Sequence, residues 1–150
     1  MGIHGKRSVD SIHKELGHIM WEYVGMGRTA EGLKTALAKL KDLRKAFETD
    51  LFIPGDKEGM NVELDKAFRL NDFITMGELI AYDALSRNES CGGHFREEYQ
   101  TEEGEAKRDD EHYFYVSCWD YQGSDDKAPE QIIEPLHYEA IKVQTRNYKS

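Results

Sequence analysis

A mainly α-helical chain is predicted: an antiparallel three-helix bundle (spectrin-repeat-like) over residues 1–90, then an extended tail over 91–150 with a charged loop and a short β-hairpin, packed on the bundle as one domain. Three observations predict it. Apolar residues recur at helical spacing in three long stretches before residue 90. Glycines and prolines separate those stretches with short connections, which favour antiparallel neighbours. After Gly92-Gly93 the pattern changes to a charged run followed by aromatic alternation at a period of two.

The first helix is expected from Ser8 to about Val24, with Ile12, Leu16, Ile19, Met20 and Tyr23 on one face. Gly25 and Gly27 end it. Thr29 is the expected N-cap of the second helix, with Glu31 in the first turn where the helix dipole favours a carboxylate. Leu33, Leu37, Leu40, Leu43, Ala46 and Phe47 form its apolar stripe, and Lys34, Lys39, Lys41, Arg44 and Lys45 are assigned to the remainder. The run "FIPGDKEGMN" closes it with a Pro-Gly turn. The third helix is expected from Asn61 or Val62 to about Asn88, with Leu64, Ala67, Phe68, Leu70, Ile74, Gly77, Ile80, Ala81 and Ala84 on a broad buried side. Gly77 in a helix interior costs roughly 1 kcal/mol against alanine, which points to a close helix crossing.

In the tail, "QTEEGEAKRDDE" reads as a solvated loop. "HYFYVSCWDYQG" reads as a strand with Tyr113, Tyr115, Trp119 and Tyr121 on one face and Phe114, Val116 and Cys118 on the other. Both faces are apolar, so the strand is expected to be covered on both sides. "QIIEPLHYEAIKV" is its expected partner, with Pro135 confining part of it to an edge.

At 150 residues the chain is long enough to bury roughly 70% of its unfolded surface without staples. Two cysteines, Cys91 and Cys118, form no CxxC pair and fit a reducing compartment. No run of about 18 apolar residues is present, and the amino terminus lacks the apolar core of a secretory signal, so a soluble protein without membrane insertion is expected. Formal charge is -9, with a mildly basic first third and an acidic remainder, which argues against nucleic acid.

Several motifs carry less than they promise. "GMGRTAEG" (25–32) has the wrong spacing for a dinucleotide loop and follows a helix rather than a strand. His13 and His18 are five apart and cannot close on one ion, and Cys91 with His94 supplies two ligands where structural zinc needs four. A Cys91–His94 nucleophile pair would sit near the C-terminus of the long helix, where the dipole disfavours a thiolate. The aromatic strand as a base-stacking platform is opposed by its acidic surroundings. "TEEGEAKRDDE" does not fit the calcium-loop pattern.

The densest run is "ESCGGHFREEY" (89–99), a thiol, an imidazole, a guanidinium and three carboxylates around a Gly-Gly hinge. Its mixture of polar groups and aromatic anchors suits contact between domains, and His94, Phe95, Arg96, Glu97 and Tyr99 are the candidate docking residues. An apolar patch is expected near Phe95, Tyr99 and the aromatic strand.

The runs "HKELGHIMWEYVGMGRTAEGLKTALAKLKDLR", "ELDKAFRLNDFITMGELIAYDALSRNES", "CGGHFREEY", "KRDDEHYFYVS" and "KVQTRNY" closely resemble the C-terminal region of the flavoprotein subunit of succinate dehydrogenase and fumarate reductase. That region is shared in outline with L-aspartate oxidase. The family's usual Glu-Ser-Arg-Gly-Ala-His is Glu89-Ser90-Cys91-Gly92-Gly93-His94 here, so no contact of that arginine carries over. The resemblance implies a parent enzyme that interconverts succinate and fumarate by hydride exchange with FAD, usually attached to a histidine. It further implies substrate carboxylates held by arginine and histidine, and a proton moved by an arginine. Electrons would pass to an iron-sulfur subunit and a quinone-handling membrane anchor, the complex lying peripheral to the cytoplasmic face of the inner membrane. All those catalytic and flavin-binding residues lie upstream in the family, so no catalytic, cofactor-binding or metal residue is assigned here. The chain is expected to be a structural C-terminal domain that packs on the flavin-binding domain of its own polypeptide and on the iron-sulfur subunit. Met1 is then an artificial start, standing where the flavin domain would precede it. The alternative is a free-standing helical adaptor that binds a protein through its bundle face, and an independent enzyme relying on Cys91 or His94 ranks third.

Overall fold

The computed structural model describes residues 1–124 and 127–144. The last part of the run "KVQTRNY", from residue 145, lies outside them. The chain divides into two compact units, Met1–Ser86 and Arg87–Ser150.

The first unit is the three-helix bundle. A two-residue strand, β1 (Arg7–Ser8), leads into α1 (Val9–Val24), where the Ser8 hydroxyl accepts from the Ser11 amide. Helix α2 (Ala30–Asp50) begins at the predicted cap, Thr29, whose hydroxyl accepts from Gly32 N at 3.0 Å. It runs directly into β2 (Leu51–Phe52), which pairs in parallel with β1 through Arg7↔Leu51 and Ser8↔Phe52. A methyl placed on Gly5 would lie 1.9 Å from the Asp50 carbonyl carbon, so only glycine permits the close approach of the amino-terminal segment there. Helix α3 (Val62–Ser86) starts beside Asn61, whose side-chain oxygen accepts from Leu64 N while its amide donates to Pro54 O.

The apolar core lies wholly in this unit. Val9, Ile12, Leu16, Ile19 and Val24 of α1 meet Leu33, Ala36, Leu40 and Leu43 of α2, and Ala67, Leu70, Ile74, Ala81 and Ala84 of α3. Gly77 sits at a tight crossing, where an added methyl would meet Met20 Sδ at 3.1 Å, Leu16 Cδ1 at 3.5 Å and Leu40 Cδ2 at 3.8 Å.

Three expectations need correction. Helix α3 stops at Ser86, whose hydroxyl donates to Asp83 O, rather than running on to Asn88. Its buried side is narrower than predicted, because Phe68 and Ile80 are exposed. Phe68 follows the buried Ala67 by one residue, a turn of about 100° that carries it off the core face. Arg44, assigned to the solvated face of α2, is only 7% exposed. It donates to both Glu78 oxygens, at 3.3 and 2.7 Å, and to Thr75 Oγ1 at 3.0 Å.

In the second unit, the predicted long strand divides. Its first part is a single turn, α4 (Asp110–Tyr113), capped by Asp109, and only Tyr115–Asp120 forms strand β3. Strand β4 (Glu130–Pro135) pairs antiparallel with it, from Tyr115↔Pro135 to Asp120↔Glu130. Pro135 therefore occupies the last rung, where a missing amide costs the ladder least. No helix among the described residues is long and apolar enough to cross a membrane.

Candidate docking segment

Beyond α3 the chain buries no large apolar side chain among the described residues. Its buried groups are Glu89, Ser90 and Arg96. The segment is therefore organised by hydrogen bonds and charge, and each partner must be satisfied for burial to be tolerated.

Glu89, with its side chain 2% exposed, is the centre of this knot. Its Oε1 accepts from Arg87 Nε at 3.2 Å and from Arg87 Nη2, while Oε2 accepts from Asp109 N at 3.0 Å. The Arg87 guanidinium also donates to Tyr113 O at 2.8 Å and lies over the Tyr113 and Tyr115 rings, 5.7 and 5.3 Å from their centroids. The carboxylate and the stacked guanidinium thus bind the start of the segment to residues 20 and more positions later.

Ser90 supplies the second tie. Its Oγ accepts from Arg96 N at 2.8 Å and donates to Arg96 O, and its own amide donates to Lys107 O. Between Ser90 and Arg96 the chain makes a two-residue hairpin turn, with Cys91 N to His94 O at 2.8 Å and His94 N to Cys91 O at 3.0 Å. Gly92 takes φ +59°, the conformation such turns require at their first central position. The predicted Gly-Gly hinge is thus a closed turn. Because α3 ends at Ser86, Cys91 lies in this hairpin and not at a helix C-terminus, which corrects the dipole argument made for its thiol.

The five candidate docking residues occupy different positions. His94 Nε2 donates to Arg87 O at 3.1 Å, the carbonyl that also accepts from Arg96 Nη1 at 3.3 Å. Arg96 is 1% exposed, with its Nε on Glu98 Oε2 at 3.1 Å and its guanidinium 5.4 Å from the Tyr99 ring centroid. Phe95 and Tyr99 are half-buried, and Glu97 is exposed. Tyr99 N donates to Arg96 O and Tyr99 O accepts from Lys107 N, so the charged loop returns as a narrow hairpin closed between Thr101 and Glu105. Arg87, Glu89, Ser90 and Asp109 are not among the candidate docking residues, although Glu89 and Ser90 stand inside the densest run, 89–99. The one available signal was the glutamate itself, two residues past an arginine at a helix end.

One other candidate site is accounted for by internal bonds. In "GMGRTAEG", Arg28 Nε folds back onto Val24 O and Gly25 O, both at 3.1 Å, and Thr29 caps α2. Burial holds the Arg28 pKa below its ordinary value against the opposing pull of Asp83. The loop joins two helices, so the strand-turn-helix cradle of a dinucleotide pyrophosphate is not built here, and these residues do not fit a flavin nucleotide. Among the described residues, no group of three or more His, Cys, Asp or Glu side chains is placed to hold a metal ion.

The α4 cap carries a titratable pair. His112 Nδ1 lies 3.0 Å from both Asp109 oxygens. The hydrogen bond that the His112 ring donates to Asp109, then the charge of Asp109, raises the His112 pKa, and the same hydrogen bond lowers that of Asp109. A raised imidazole pKa means the pair contributes fully below the unfolded-state value and is lost as pH rises through the folded one. A lowered carboxylate pKa means it is lost again as pH falls through that midpoint. The pair is intact only between the two. In an NMR titration the His112 ring should titrate above free histidine. Asp109→Asn, which keeps a capping side chain, should return it towards the ordinary value; an unchanged midpoint would refute the pairing.

Residues 13–148 match the protein family described as fumarate reductase flavoprotein C-term. The fumarate reductase flavoprotein subunit of Helicobacter pylori is 29% identical over 141 residues, 93% of this chain and 18% of that protein. The chloroplastic L-aspartate oxidase of Oryza sativa subsp. japonica is 40% identical over 86 residues, 57% of this chain and 13% of that protein. Among solved structures, a chain of E. coli quinol fumarate reductase covers 97% of this chain with a TM-score of 0.78 at 23% identity, and 24% of that chain is matched. This chain thus spans only 13–24% of the length of these three proteins.

Proposed function

This chain belongs to the family of fumarate reductase flavoprotein C-terminal domains, and from that premise we propose that it is the structural and docking domain of a larger flavoenzyme. The parent interconverts succinate and fumarate by hydride transfer with FAD and passes the electrons to an iron-sulfur subunit. The residues that bind flavin and dicarboxylate belong to the flavin-binding domain of the same polypeptide. The two units act together as its C-terminal domain, and the complex lies peripheral to the cytoplasmic face of a membrane.

The observation that carries this reading is the makeup of the second unit. It has a polar interior and no large buried apolar side chain among the described residues, while Val116, Tyr121, Ile132, Ile133, Tyr138 and Ile141 are all at least half exposed. A free-standing unit of this size rarely leaves so much apolar surface in water, and a larger body that covers it accounts for both facts. Within the segment His94–Tyr99, Arg96 holds the backbone in shape from inside. Glu97, with the accessible parts of His94, Phe95 and Tyr99, meets the partner.

Expressing this chain alone and as part of its complete reading frame tests the proposal. The complete polypeptide should purify with one FAD per chain and reduce fumarate with a reduced dye, and this chain alone should be colourless and inactive. Stoichiometric flavin on this chain by itself, or a complete polypeptide without flavin, would overturn it.

A further inference from the structure

The outward face of the β3–β4 hairpin has an unusual layout. Directly opposed residues of an antiparallel pair share a face, so Val116, Cys118 and Asp120 stand with Glu134, Ile132 and Glu130. Val116 is 51% and Ile132 53% exposed, and Cys118 is exposed between them. A solvated sheet face ordinarily carries polar side chains. Here the centre is apolar and the acids stand at the two ends.

The acids are arranged at a cost. Asp120 and Glu130 are direct cross-strand neighbours, where like charges destabilise the pairing. The Asp120 carboxylate accepts a hydrogen bond from Gln122 Nε2 at 3.1 Å, and among the described residues no ion pair to Asp120, Glu130 or Glu134 is formed. A surface that places cations between them would relieve that repulsion while covering the apolar centre.

We infer that this face docks a protein surface with an apolar centre and a lysine- and arginine-rich rim, contributed by another part of the assembled enzyme. The inference rests on the function proposed above and names the chemistry of the partner. A second copy of the same face would set acid against acid, and anionic lipid or nucleic acid would be repelled by the same three carboxylates.

Cys118 reports on the face directly. Its maleimide labelling, followed by peptide mass spectrometry, should be compared in this chain alone and in the intact parent complex. Labelling is expected to be at least about tenfold slower in the complex, as for a group exposed only when an interface opens. Protection should weaken in about 0.5 M salt, where the screening length falls to a few ångströms. It should weaken also in the triple variant Asp120→Asn/Glu130→Gln/Glu134→Gln, assembled with full flavin content. Equal labelling in a flavin-loaded complex would overturn the inference and leave the proposed function standing. So would protection that ignores both salt and the triple variant, or protection of this chain alone through self-association. A parent polypeptide that carries no flavin overturns the proposed function instead, whatever the labelling shows.

Discussion

Glu89→Ala should loosen the internal order of the second unit while leaving the helical bundle folded. Both carboxylate oxygens are used, one by Arg87 and the other by the Asp109 amide, and the side chain is 2% exposed. Removing one member of a buried pair strands the other charge, and because Arg87 keeps 19% side-chain exposure and its bond to Tyr113 O the cost is set at about 3 kcal/mol, the lower end of the range for broken buried pairs. The unit has no apolar core among its described residues to offset that loss. In hydrogen exchange on the full chain, the amides of Ser90, Asp109 and Tyr99 should lose protection by two or more orders of magnitude, on the conversion of about 1.4 kcal/mol per tenfold. The amides of α1 and α2 should keep theirs. Glu89→Gln retains an acceptor for the Asp109 amide and should lose roughly 1–3 kcal/mol. If Glu89→Ala leaves Ser90 and Asp109 as protected as before, the polar knot does not hold the segment together.

The second large effect lies in the bundle. Arg44→Met should lower its stability by about 3 kcal/mol, because Glu78 is left partly buried without its cation. Glu78 retains 19% side-chain exposure, so water recovers part of the loss, which sets the expectation at the lower end of the range for broken buried pairs. For a unit of this size the midpoint of thermal unfolding should fall by on the order of 10–20 °C. The double variant Arg44→Met/Glu78→Leu should recover at least half of that, since removing both charges also removes the desolvation cost of each. Calorimetry of the full chain separates the cases. A double variant less stable than Arg44→Met would show that the pair itself, rather than the orphaned carboxylate, dominates.

The two variants also mark the division between what was legible in the residues and what was not. Helices α1 and α2 were read to within a residue or two of their bounds. The repeat of Ile12, Leu16 and Ile19 or of Leu33, Leu40 and Leu43 is a local periodicity, and Thr29 caps by bonding three residues ahead. Gly77 was likewise interpretable, since a glycine amid good helix formers asks for a neighbour that a side chain would obstruct. The run 89–99 stands out by its composition, but its internal order is not legible there. His94 and Arg96 both turn back onto one carbonyl, that of Arg87, and nothing in the run 89–99 specifies that direction.

What the sequence determined by itself is the three long helices, the cap at Thr29, the antiparallel order imposed by short connections, and the change of character after Gly92-Gly93. Each follows from interactions spanning a few residues, where spacing along the chain stands in for distance in space. The tertiary structure alone decided that Arg44 is buried against a glutamate 34 positions later, that Arg7 and Leu51 pair as strands, and that Glu89 receives the amide of Asp109. Periodicity reports which face of an element is apolar. It carries no information about which charged group will be opposite once two distant segments meet, and in a unit with a polar interior that meeting is what holds the fold.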